Sequence, residues 1–73
     1  MVLETVTKIV AEVCHVEHTD VVADRNLMSY GLDSARAMDL VVALEDLFEV
    51  EISDEVIIQL RTANDIVRAL ETL

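Results

Sequence analysis

A chain of 73 residues, 53% of them apolar, has room for one small domain with a filled core, which argues against a deep substrate cleft. Aromatic residues make up only 3%, so the core must be built from aliphatic side chains and Met. The formal net charge of −10, from 15 acidic and 5 basic residues, disfavours nucleic acid and anionic membranes as partners. It favours proteins with basic patches.

The chain contains one cysteine, Cys14, so it cannot form an intramolecular disulfide. This usage fits a reducing compartment. The sequence shows no signal peptide, no Arg-rich transit segment and no apolar run long enough to span a membrane. We therefore expect a soluble, cytoplasmic protein that acts as a monomer.

The first predicted element is an amphipathic helix near the amino terminus. Its apolar residues recur at three- and four-residue spacing, which forms one stripe on a helix: Val2, Leu3, Val6, Ile9, Val10 and Val13. Residues 15–33 lose this period and are predicted to form a loop, longer than most compact domains tolerate without a reason. We expect its apolar residues to pin it to the core, namely Val21, Val22, Leu27, Met28 and Leu32.

The second predicted helix runs from about Ser34 to Phe48, and the segment EVEIS ends it. A short third helix should follow. Ser53 is placed to cap it, and Asp54 and Glu55 lie in its first turn, where acids suit the helix dipole. We expect the buried side of this short helix to consist of Val56, Ile57, Ile58 and Leu60.

A last helix is predicted from Thr62-x-x-Asp65, an acidic variant of the capping box. Its apolar stripe follows at helical spacing: Ala63, Ile66, Val67, Leu70 and Leu73. Together these elements predict an all-α fold, a small bundle of three main helices plus one short helix, with a long loop between helices one and two. Residues 1–73 should form a single domain.

On a helical wheel, the second helix has two apolar faces. The broad face is expected to lie against the core: Ala37, Leu40, Val41, Leu44, Leu47 and Phe48. Ala35, Met38 and Val42 lie well away from it. Ser34 shares a line with Met38 and Val42, since the three are spaced i, i+4 and i+8.

Acidic residues flank this line, Glu45 on one side and Asp39 and Asp46 on the other. Eight of the 15 acids lie between residues 33 and 55. An apolar strip with an acidic rim is typical of a partner surface. The alternative is that the two apolar residues pack beneath the long loop and that the charges form an ordinary solvated face.

Ser34 stands at the predicted start of the second helix. A serine there is usually a cap, but Asp33 can take that role and leave the Ser34 hydroxyl free. A nucleophilic serine needs an adjacent base, and the only histidines, His15 and His18, lie across the long loop in sequence. The helix end suits a phosphate, and Gly31 permits a positive φ or the close approach of another backbone. The site therefore suits modification by another enzyme better than catalysis.

The segment GLDSARAMDLVVALEDLFEVEISDE, residues 31–55, resembles the signature of acyl carrier proteins, which carry Gly-x-Asp-Ser-Leu at the start of their second helix. The resemblance extends to nearly all 73 residues in length, helix layout and acidity. It implies that a phosphopantetheinyl transferase attaches 4'-phosphopantetheine from coenzyme A to Ser34, beside Asp33 and Gly31. The arm would carry acyl groups as thioesters, and the protein itself would not be an enzyme. The resemblance further implies that enzymes with basic docking patches recognise the second helix through Ala35, Met38, Asp39, Val42, Glu45 and Asp46.

The segment departs from the commonest motif at three positions. Ala35 stands where Leu is usual, Arg36 stands where fatty-acid carriers often have an acid, and Ser53 replaces a frequent Pro. Arg36 and GLDS are more similar to polyketide-type carriers, whereas peptidyl carriers usually have Gly-Gly-x-Ser. We expect a carrier of polyketide, fatty acid or related biosynthesis. The alternatives are a peptidyl or aminoacyl carrier and an unmodified acidic helical adaptor that binds a basic partner.

A metal centre is not expected. Cys14, His15 and His18 lie close in sequence, but structural zinc normally needs four ligands and the chain has no second Cys or His pair. The acids of residues 49–55 lack the spacing of a calcium loop. We expect one buried or half-buried thiol and two surface histidines.

Overall fold

The computed structural model describes residues 2–72, and within them it contains helices and loops but no strand. Helix α1 spans Val2–Cys14, α2 Ser34–Phe48, α3 Asp54–Ile57 and α4 Ala63–Thr72. Two 3-10 helices, His18–Asp20 and Leu27–Tyr30, lie in the long loop between α1 and α2. The predicted all-α bundle of three main helices and one short helix is confirmed.

The core is aliphatic, as the composition requires. α1 packs against both α2 and α4. The largest fully buried side chains come from α1, the long loop, α2 and α4: Val6, Val10, Leu27, Leu44 and Ile66. Burial of each stabilises the fold by about 1.5–3 kcal/mol, so the loop contributes to the core through Leu27 as the helices do.

α1 ends in a left-handed turn. His15 has a φ of 59°, and the Val16 N–H donates to the carbonyl of Ala11 over 3.0 Å. This is the closing bond of a Schellman motif, in which glycine usually occupies the left-handed position. The partly buried Val16 packs against the core, so the turn directs the start of the long loop inward.

The long loop is hydrogen-bonded to the start of α4 and to the residues just before it. The Leu27 N–H donates to the carbonyl of Arg61 over 2.8 Å, and the Asn64 N–H donates to the carbonyl of Ala23 over 3.1 Å. The Asn64 side-chain amide also donates to the carboxylate of Asp24. These contacts explain how a loop of this length keeps one course over the bundle.

Tyr30 fastens the loop to itself. Its hydroxyl oxygen accepts the Val22 N–H over 2.7 Å, and the Arg25 guanidinium lies 5.9 Å from the ring centroid. Both contacts fold the loop back onto its second 3-10 helix, immediately before α2.

Two of the loop residues expected in the core are exposed instead. Val21, Leu27 and Leu32 pack against the core, but Val22 is exposed and Met28 is 72% exposed. Val21 is in extended conformation, so the next side chain points the opposite way. Met28 lies in a 3-10 helix, where residues three apart share a side; Leu27 and Tyr30 take the inner side.

Two helix residues expected in the core are also exposed. The single turn of α3 directs Val56 and Ile57 toward the core. Ile58, the next residue, is left on the far side and is 76% exposed. Leu47 is 55% exposed; it lies at the edge of the apolar stripe, one turn from the fully buried Leu44. Leu73 lies outside the described residues.

The predicted helix caps are confirmed. The Ser53 hydroxyl accepts the Val56 N–H over 3.4 Å at the start of α3. Before α4, the Thr62 hydroxyl accepts the Asp65 N–H over 3.1 Å and the Asp65 carboxylate accepts the Thr62 N–H over 3.2 Å. These reciprocal bonds form the capping box.

Candidate functional site

The start of α2 is organised by Asp33. Its backbone is extended, with φ −119° and ψ −174°, and its carboxylate accepts the Arg36 N–H over 2.9 Å. Its carbonyl oxygen accepts the Ala37 N–H over 2.8 Å. Asp33 is therefore the cap, and Ser34 is the first residue of the helix, as predicted.

Ser34 is exposed. Within residues 2–72, its hydroxyl has no hydrogen-bond partner and no histidine or carboxylate activates it. The backbone N–H groups of Ser34 and Ala35 are likewise without an acceptor in that part of the chain, as is usual for the first turn of a helix. An unactivated hydroxyl beside free N–H groups can be modified by another enzyme, and it can hold a phosphate at the positive end of the helix dipole.

Gly31 determines how the chain enters this site. It ends the 3-10 helix Leu27–Tyr30 with φ 87° and ψ 16°, and its N–H donates to the carbonyl of Met28. A Cβ at this position would lie 3.7 Å from the Arg36 Nη1 atom, an ordinary contact. The predicted positive φ is confirmed, whereas no backbone approaches closely enough to require glycine.

The face of α2 that continues from Ser34 is open to solvent. Met38 is 54% exposed and Val42 is 51% exposed, so the alternative in which they pack beneath the long loop is wrong. Ala35, Asp39 and Asp46 are exposed as well. We call these five residues, Ala35, Met38, Asp39, Val42 and Asp46, the α2 strip.

Glu45 is the exception among the residues predicted for this face. It is half-buried, and its Oε2 atom accepts the Ile52 N–H over 2.8 Å. The sequence predicted that Glu45 would be an exposed acid at the edge of the docking surface. The spacing of residues in the sequence gave no indication that Glu45 would bond to Ile52, seven residues later in the segment between α2 and α3.

A second apolar surface, which the sequence pattern did not predict, lies beside the long loop. Met28 and Ile58 stand at the edge of a groove that also includes Leu32, two residues before Ser34. Leu27 and Leu60 also line this groove. The sequence carried no signal for the exposure of Met28, because a 3-10 helix of four residues can turn either side inward and contacts with the core select that of Leu27 and Tyr30.

Cys14, His15 and His18 do not come together as a metal site. Cys14 is buried, and burial raises the pKa of its thiol, with Arg36 opposing the rise. Both histidines are exposed. Among residues 2–72, no group of three or more His, Cys, Asp or Glu side chains is arranged to hold a metal ion.

None of the helices described is both long and apolar enough to cross a membrane.

The chain is thus a small helical bundle with an exposed serine on the first turn of its second main helix. Residues 4–70 match the family model described as "Phosphopantetheine attachment site", and the chain belongs to this family. The structure is similar to that of a free-standing peptidyl carrier protein from an uncharacterized Acinetobacter baumannii secondary metabolic pathway. The two share 28% sequence identity and a TM-score of 0.84 over 96% of this chain and 88% of the other. Members of this family carry covalently attached 4'-phosphopantetheine.

Proposed function

We propose that Ser34 is the attachment point of 4'-phosphopantetheine. The observation that carries this assignment is the exposed, unpartnered Ser34 hydroxyl on the first turn of α2, with Asp33 acting as the cap in its place. The Ser34 and Ala35 N–H groups on the first turn of α2 are available to donate to a phosphate attached to this hydroxyl. When bound, the group supplies a flexible arm whose thiol holds an acyl group as a thioester.

This assignment is tested by intact-mass measurement after incubation with coenzyme A and a broad-specificity phosphopantetheinyl transferase. The protein should gain the mass of one phosphopantetheine, and Ser34→Ala should gain none. Ser29→Ala is the matched control because Ser29 is also exposed and lies five residues earlier; it should gain the same mass as the parent. A phosphopantetheine mass gain that persists in Ser34→Ala would refute the assignment.

We propose that the α2 strip is where the transferase and the enzymes that load or receive the acyl group dock. Met38 and Val42 offer apolar contact, and Asp39 and Asp46 offer charges for basic patches. Exposed charges of this kind steer encounter and set register more than they add affinity. Weak, fast binding suits a carrier that must leave each partner. We propose that the protein acts in this way as the substrate of other enzymes, as a monomer in the cytoplasm.

We propose that the cargo is an acyl intermediate of polyketide or related biosynthesis. Gly31-Leu32-Asp33-Ser34 and Arg36 support this choice, since peptidyl carriers usually have a second glycine where this chain has Leu32. The likeness to a free-standing peptidyl carrier favours a second candidate, an aminoacyl or peptidyl cargo. Mass analysis of the protein purified from its native host, with the thioester intact, separates the two.

A further inference from the structure

Glu45 accepts hydrogen bonds from several backbone N–H groups of the segment that joins α2 to α3. Its carboxylate Oε2 accepts the Ile52 N–H over 2.8 Å. Its carbonyl oxygen accepts the Glu49 N–H and the Val50 N–H over 3.3 Å. Three backbone donors of residues 49–53 therefore converge on one residue of α2.

The bond to Ile52 lies at the point where this segment meets the core. The chain turns away from α2 at Glu49, which has a left-handed φ of 54°. Ile52 is then buried, and Ser53 caps α3 by accepting the Val56 N–H. Holding the Ile52 N–H thus fixes both a core contact and the start of α3.

The same segment adjoins the α2 strip. Asp46 belongs to the strip and also lines an open groove, whose other walls are Glu45, Val50, Glu51, Ile52 and Ser53. The surface that begins at Ser34 therefore continues past the end of α2 onto residues 49–53. Its shape there depends on how that segment is held.

We propose that Glu45 is a positioning residue. It shapes residues 49–53 beside Asp46 by accepting the Ile52 N–H, instead of meeting partners through its own charge. The consequence for partner recognition rests on the proposed function, whereas the hydrogen bond does not. The role requires an acceptor at the reach of a Glu side chain. Gln supplies that acceptor without the charge, and Asp keeps the charge but is one methylene shorter.

The first test is amide hydrogen exchange at Ile52, measured by NMR in the parent, Glu45→Gln, Glu45→Asp and Asp46→Asn. A part-buried donor left unpaired loses roughly fivefold or more in protection, so Ile52 should exchange at least about fivefold faster in Glu45→Asp. It should keep its parental rate in Glu45→Gln and Asp46→Asn. Val50 is the internal control because its acceptor is the backbone oxygen that every variant retains. Equal protection in all four proteins, or equal loss in the Gln and Asp variants, would overturn the proposal.

The second test compares kcat/KM for a phosphopantetheinyl transferase acting on the parent, Glu45→Gln and Glu45→Asp. If Glu45 acts through Ile52, Glu45→Gln should keep the parental value while Glu45→Asp falls severalfold. The opposite order would show that the charge of Glu45 matters, and equal values in the three proteins would show that the transferase does not depend on the shape of residues 49–53. Either result overturns the proposed role. Failure of the parent to be modified at Ser34 would refute the proposed function, while the Ile52 exchange would still decide the positioning role.

Discussion

The backbone N–H of Leu27 donates to the carbonyl of Arg61 over 2.8 Å, and this bond joins the long loop to the segment before α4. Leu27 is fully buried at the same point. Seven residues later the chain reaches Ser34. The position of the candidate attachment site therefore depends on a loop that is fixed by residues distant from it in sequence.

Tyr30→Phe tests how firmly the loop is fastened. Loss of the hydroxyl leaves the Val22 N–H without its acceptor at 2.7 Å, and we expect the free energy of unfolding to fall by about 1 kcal/mol. Urea denaturation measures the change, and faster amide exchange at Val22 should accompany it. Unchanged stability and unchanged Val22 exchange would show that this bond contributes nothing to the loop.

Gly31→Ala tests the need for a left-handed residue before the site. At a φ of 87° a Cβ is strained, and we expect a loss of about 1–2 kcal/mol in unfolding free energy. Because the nearest atom would lie at an ordinary contact distance of 3.7 Å, the loss should come from the backbone alone. Gly31→Asn, which tolerates this region better, should therefore lose less. An equal loss in both variants would point to crowding instead.

Glu49→Gly should stabilise the protein. Glu49 ends α2 with a φ of 54°, and glycine removes the strain of a side chain in that region, a gain of about 0.5–1 kcal/mol in unfolding free energy. Glu49→Ala is the matched control, since it removes the same charge but keeps the Cβ. If both variants gain equally in thermal denaturation, relief of charge repulsion rather than of backbone strain is responsible.

Leu44→Ala and Leu47→Ala form a matched pair on α2. Leu44 is fully buried while Leu47 is 55% exposed. We expect the first substitution to cost about 2–5 kcal/mol, as for other core leucines, and the second to change stability by less than about 0.5 kcal/mol. Urea denaturation of both variants checks this. Similar losses would mean that the apolar stripe extends to Leu47, as its sequence spacing had indicated.

Asp65 should make stability depend on pH. Burial alone would raise the pKa of Asp65, but the N–H groups of Arg61 and Thr62 and the side chain of Arg68 outweigh it, so the pKa lies below its ordinary value. The unfolded chain then binds the proton more readily, and stability rises with pH. The contribution is complete above the ordinary Asp pKa of about 3.9 and disappears as pH falls through the lower folded value.

Comparison of Asp65→Asn with the parent measures this contribution. The variant should be less stable at pH 7, and the difference should shrink as the pH is lowered below about 4. Glu71→Gln, an exposed acid on the same helix, is the control for removal of one charge. A difference between Asp65→Asn and the parent that stays constant from pH 7 to pH 3 would contradict the assignment.

The local features of the fold followed from the sequence. The period of apolar residues placed α1, α2 and α4, and the caps at Asp33, Ser53 and Thr62 depended on side chains that bond to backbone within three residues. The sequence also predicted that Asp33 could cap α2 and leave Ser34 free, whereas it left open whether Met38 and Val42 face solvent, which the structure decided. A helix of regular period fixes which residues share a side.

The remaining features depended on tertiary structure. The exposure of Met28 and Ile58 follows from short helical turns whose inner side is chosen by contacts with the core. Two hydrogen bonds join segments that no local sequence pattern predicts to be adjacent. One links Ile52 to Glu45, and the other links Leu27 to Arg61. The sequence by itself determined that a free serine begins an acidic helix. Only the packed bundle decided which acid remained free to meet a partner, because burial and hydrogen bonding depend on the residues that the fold brings alongside.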